Sequence, residues 1–181
     1  MISSKSLFSD NSYIRNYKSF IIIFLFFLFG NFIGLYSVYH VDRETFETVF
    51  YGFLNPGSAA SFCSAFKIPV ITAVLGSTFF GTLLIPLFSA FKGFSVSFIS
   101  ACIFSRFGRE DVFSLGDFKL VYFLLFNFVL ILFMGTAFNS SVLVFKSFVL
   151  KQGVINRISV NLFIKQCILF FIVLIIIFIL M

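Results

Sequence analysis

Tryptophan is absent from this chain of 181 residues, histidine occurs once, proline three times, and charged residues make up only 11%. Each shortage excludes something. A soluble domain of this size needs roughly 25% charged residues to cover its surface, so the chain is not a soluble monomer. The single histidine, His40, rules out an HExxH metal site, and His40 reads as a solvated residue at a membrane edge. Cys63, Cys102 and Cys167 show neither CxxC nor zinc spacing, and they fall at different depths of the topology below, so no internal disulfide is expected. No Asp or Glu interrupts the long apolar runs, which weighs against ion pumps and proton relays. A P-loop, a GxSxG elbow and an acidic pair within a span are also missing. No catalytic residue, metal ligand or cofactor is expected. The net charge of +6 is spread over several loops rather than gathered on a soluble face, so a nucleic-acid partner is not expected either.

What the chain has in abundance is apolar surface: 60% hydrophobic residues, with 33 phenylalanines. An A+T-rich coding sequence places Phe at apolar positions, and nothing demands an aromatic ligand channel. The long runs predict an all-α, polytopic membrane bundle of about five transmembrane helices, with the lipid bilayer as its first partner. Residues 1–19 form a polar tail, and residues 20–181 form a single membrane domain with spans expected near 20–39, 68–91, 93–107, 120–144 and 166–181. The first run is too long for the apolar region of a signal peptide, and His40-Val41-Asp42-Arg43 is a poor cleavage site, so a retained helix is expected. Between the first two spans, Phe46, Val49, Phe50, Phe53 and Leu54 recur at helical spacing, which predicts an amphipathic helix on the membrane surface.

The stretch from Ile68 to Gly108 holds one charge, Lys92, before Arg106. As one helix it would reach about 55 Å or more, against a hydrocarbon core of roughly 30 Å. A tight hairpin at Lys92-Gly93 is therefore expected, with a turn at Pro86 as the alternative. Pro69 then falls in the first turn of its span, and Pro86 kinks its interior. Five crossings place the termini on opposite sides. With the N-terminus cytoplasmic and the C-terminus outside, eight basic residues including Lys92 lie inside and five outside, as the positive-inside rule requires of a plasma-membrane protein.

Small residues mark the contact faces. Gly93, Ser97, Ala101 and Ser105 recur every four positions, Ala73, Ser77 and Gly81 do the same, and Gly30 and Gly34 form a GxxxG. Gly30, Gly34, Gly76, Gly81, Gly93, Ser97 and Ala101 are the candidate packing or partner face, with the first reading being packing within this bundle. Asn31, Asn127 and Asn139 are the intramembrane polar residues, more often interhelical hydrogen-bonding groups than transport ligands.

Between Ile68 and Gly108 the chain resembles the stage II sporulation protein M family of Firmicutes. The likeness lies in Ser61-Phe62, Leu75-Gly76, Phe80-Gly81, and above all Phe91-Lys92-Gly93-Phe94 with Val96 and Phe98, closing at Gly108. Gly30 and Gly34 resemble the family's glycine-containing first helix, and the five-span layout fits. The chain departs from the family pattern at Leu83 and Ser97, and in lacking a proline near Asn127. The resemblance implies a non-enzymatic membrane component that acts at the septum with peptidoglycan-degrading partners during engulfment of the forespore. A second, different expectation is the membrane subunit of a small-molecule or lipid transporter, with polar residues around Asn31, Asn127 and Pro86.

Overall fold

A computed structural model describes residues 6–42, 44, 48, 58–114, 119–149 and 157–180. The described residues form five helices and no strand: α1 (Ser6–Val38), α2 (Ser58–Gly76), α3 (Gly81–Ser114), α4 (Lys119–Phe148) and α5 (Arg157–Leu180). Four contain segments long and apolar enough to cross a membrane: Tyr17–Val38, Gly81–Ser105, Val121–Phe148 and Val160–Leu180. The apolar part of α2 is the shorter Ala65–Gly76. The amphipathic segment expected at Phe46–Leu54 lies outside the described residues apart from Thr48.

The hairpin is not at Lys92-Gly93. Helix α3 runs unbroken through both residues and through Pro86, and the chain reverses instead at Ser77–Phe80. Local hydrogen bonds account for the choice. The Ser77 hydroxyl donates to the Val74 carbonyl (2.7 Å) and the Thr78 hydroxyl to the Leu75 carbonyl (3.1 Å), which occupies carbonyls left over where α2 ends. The backbone N–H groups of Ser77 and Thr78 reach the same two carbonyls (3.1 and 3.0 Å) in tight three-residue turns. Beyond the turn, the Thr82 hydroxyl donates to the Phe79 carbonyl at 2.8 Å. The two spans expected at 68–91 and 93–107 are thus replaced by the helices Ser58–Gly76 and Gly81–Ser114, of which the second alone is long and apolar enough to cross a membrane. Pro69 accordingly lies in the interior of α2, fully buried, rather than in a first turn. Pro86 falls in the second turn of α3, where the missing N–H removes a single bond near the helix start.

Contacts fix the directions of the helices. The Ser89 hydroxyl donates to the Ile23 carbonyl (2.8 Å), Gly93 abuts Phe27, and Gly34 abuts Ser97, so α1 and α3 run parallel. Gly135 abuts Phe20, and the Ser141 hydroxyl donates to the Thr78 carbonyl at 2.6 Å, so α4 runs antiparallel to both. Phe66 packs edge-to-face with Phe126 and Phe178, while Gly76 meets Ala137 and Phe163. Helix α2 is therefore parallel to α4, and α5 is antiparallel to them. Direction alternates along the chain, so α1 begins at one end of the bundle and α5 ends at the other.

The core is apolar and centred on α4. Phe133, Leu130, Met134 and Ala137 are fully buried there, packed with Ile23 of α1, Ile85 of α3 and Leu174 of α5. Outward faces carry Phe29, Phe32, Leu83, Leu87, Leu169 and Ile179, all exposed. In water such a surface would aggregate; in a bilayer it is the lipid-facing wall.

Candidate functional site: the glycine seam and the mid-depth polar residues

The most extensive helix pair in the molecule is α1 with α3. It is built on positions that lack side chains. A Cβ at Gly30 would overlap the Ala90 carbonyl, one at Gly34 the Ser97 hydroxyl, and one at Gly93 the Phe27 carbonyl. Where lipid tails are as apolar as the helices, association comes from close packing and a few hydrogen bonds rather than from the hydrophobic effect. Glycine at these positions lets two backbones touch. The Ser97 hydroxyl turns back to the Gly93 carbonyl (3.0 Å), so the hydroxyl is satisfied within its own helix.

The remaining candidate residues separate into two further places. Gly76 and Gly81 bracket the α2–α3 turn: Gly76 receives the Phe163 ring and Ala137, and Gly81 sits against the Leu75 carbonyl and the Ser141 hydroxyl. Ala101 lies one turn beyond Ser97, half-buried, and its carbonyl accepts from the Ser105 hydroxyl at 2.8 Å. The sequence pattern pointed to these small residues. It did not show that the Gly30–Gly34 face and the Gly93–Ser97 face meet each other.

Lys92 is carried on this seam and lies at mid-span. Its neighbour Gly93 abuts Phe27, near the middle of the Tyr17–Val38 segment. Lys92 is half-buried, and all seven acids of the chain lie outside the four membrane-length segments. Asn127 shares its depth. Gly135 abuts Phe20, and stepping seven residues along each antiparallel helix brings residue 128 level with Phe27. Asn127 is 3% exposed; its Nδ2 donates to the Phe123 carbonyl at 2.8 Å, and its Oδ1 is buried without a partner. The Thr72 hydroxyl is likewise buried without a partner. Unsatisfied polar atoms of this kind, in a layer without water, are uncommon.

Among the described residues no three His, Cys, Asp or Glu side chains gather into a metal-binding group. Cys102 and Cys167 are free thiols. No protein-family model, curated protein or solved structure matches this chain.

Proposed function

We propose that this chain is a non-enzymatic, multi-pass scaffold of the bacterial plasma membrane, of the kind implied by its resemblance to the stage II sporulation protein M family. Its role is to hold septal wall-remodelling partners, wall hydrolases among them, through the lipid-facing helix surfaces and the segments beyond the helix ends. The observation that supports this reading is where the family-like motif falls. Phe91-Lys92-Gly93-Phe94 lies on the most extensive helix contact, with Gly93 against the Phe27 backbone. The motif therefore serves assembly of the bundle rather than chemistry.

The charge distribution supports a cytoplasmic N-terminus. At the end where α1 begins, the chain carries Lys5, Arg15, Lys18, Lys146, Lys151, Arg157 and Lys165 against one acid, Asp10. The opposite end carries Arg43, Arg106, Arg109 and Lys119 against six acids, while Lys67, next to Phe66 and so level with Asn127, lies near mid-depth. With Lys92 in the middle of α3 and Lys67 near mid-depth on α2, the basic residues at the two ends divide seven to four instead of eight to five, and the direction is unchanged. A fluorescent fusion is expected at the septum, and wall hydrolases are expected to co-purify. A uniform membrane signal together with a deletion that leaves wall remodelling intact would refute the reading.

Transport is the rival, favoured by Lys92 and Asn127 at one depth and by the free Asn127 Oδ1. It predicts solute uptake by reconstituted vesicles that Asn127→Leu abolishes; vesicles that take up nothing would reject it.

A further inference from the structure

Helices α1 and α5 flank α4 without packing on each other. Between them lies a cavity of about 290 Å³ whose floor is α4. Its lining is divided by chemistry: Phe20, Leu132, Leu162 and Phe170 supply apolar walls, while Thr136, Asn139 and Gln166 supply polar groups. Taking the level of Phe27 as the mid-plane, Gly135 lies about 10 Å and Asn139 about 16 Å from it, at 1.5 Å per residue. The hydrocarbon half-thickness is about 15 Å. The floor thus passes from hydrocarbon depth at Leu132 to headgroup depth at Asn139. Lys146 follows two turns further along α4, half-buried, on the same side of the helix as Asn139. Lys165 of α5 is exposed next to the lining residue Gln166, and no Asp or Glu follows Asp117 in the sequence.

We infer that this groove holds one anionic phospholipid of the leaflet at the basic end of the bundle. One acyl chain lies between Phe20 and Leu162 over Leu132. The glycerol and ester oxygens meet the polar side of the groove, where the Gln166 and Asn139 amides can donate to them, while the Thr136 hydroxyl donates to the Phe133 carbonyl at 2.8 Å. The phosphate lies toward Lys146, with Lys165 of α5 adding to the positive field. Charge complementarity selects this occupant. A zwitterionic lipid would bring a cationic headgroup to an end of the bundle where basic residues outnumber the single acid, Asp10.

Native mass spectrometry of the full chain in detergent tests the inference, using phosphatidylglycerol and phosphatidylcholine of identical acyl chains. Phosphatidylglycerol is expected to be retained in preference. Lys146→Gln should reduce its retention about fivefold, the effect of one basic residue near a headgroup. Lys119→Gln, at the opposite end, should leave retention unchanged. Leu162→Trp narrows the groove from an exposed position (56% exposed) and should displace the lipid while the helical circular dichroism signal stays intact. Equal retention of the two lipids, equal losses from Lys146→Gln and Lys119→Gln, or undiminished retention by Leu162→Trp would each overturn the inference.

Discussion

The α1–α3 seam and the aromatic core around α4 join helices of the same bundle by opposite means. At the seam, side chains are absent where contact is closest: Gly30, Gly34 and Gly93 bring backbone against backbone, and one buried hydroxyl, Ser89 to the Ile23 carbonyl, crosses between the helices. In the core, large rings fill the gaps. Phe133 packs on Phe170 and Phe171 with centroids 5.3 and 6.0 Å away, and Phe66 packs on Phe126, Phe171 and Phe178 at 5.8–6.5 Å. Neither contact can draw on the hydrophobic effect as a soluble core does, because lipid would solvate the separated helices equally well. Both depend on dispersion between closely fitted surfaces. One fit fails when atoms are added, the other when atoms are removed.

Phe133→Ala should break the comparison hardest. Phe133 is fully buried, so truncation leaves a ring-sized void bordered by Phe170 and Phe171. A loss of about 3–5 kcal/mol is expected, in the range found for large-to-small changes in cores. Unfolding in mixed micelles, followed by circular dichroism, measures it. A loss below about 1 kcal/mol would mean that the rings are not what holds α4 to α5.

Lys92→Met has the opposite expected sign. Insertion scales place a lysine at mid-span about 2.5–3.5 kcal/mol above neutral, and no acid within a span offsets it here. Replacing the ammonium with a chain of similar length should stabilise the bundle by up to about 2.5 kcal/mol in the same assay. Destabilisation would instead show that Lys92 is paired in the membrane, with Asn127 Oδ1, at the same depth, as the first acceptor to examine by a double-mutant cycle.

The four membrane-length helices and the lipid-facing wall were legible in the apolar runs, because a span of about 20 residues is a length requirement that leaves little freedom, whereas the apolar part of α2 is only Ala65–Gly76. The position of the turn was not. Lys92-Gly93 has a charge and a glycine, the usual marks of a break, yet Gly93 is there for contact with Phe27 and the lysine is carried inside a helix. The true turn, Ser77-Thr78-Phe79-Phe80, contains no charge and no glycine of its own. Its mark was local: two hydroxyl residues able to bond back to Val74 and Leu75, flanked by Gly76 and Gly81. Four-residue spacing revealed which faces were small, since periodicity defines a face. It could not pair Gly30 with Ala90, because periodicity holds no information about the partner. The groove over Asn139 was hidden for the same reason, as it exists only because α1 and α5 do not meet.

The smallest effects sharpen the comparison most, because they separate glycine at a contact from glycine merely in a helix. A Cβ at Gly30 would collide with the Ala90 carbonyl carbon and oxygen and with the Phe94 nitrogen, all backbone, so relief requires the helices to part. Gly30→Ala should therefore cost about 1–3 kcal/mol, as overpacking does. Gly135 also lies at a helix crossing, but a Cβ there would first meet the edge of the Phe20 ring at 3.4 Å, an ordinary contact. Gly135→Ala loses no fit and gains helix propensity, worth roughly 0.5–1 kcal/mol in favour of the folded state. The two substitutions are chemically identical, both fall on membrane helices, and opposite signs are expected. If both destabilise alike, α1 touches α4 as tightly as it touches α3, and the seam is no longer distinct from the rest of the bundle.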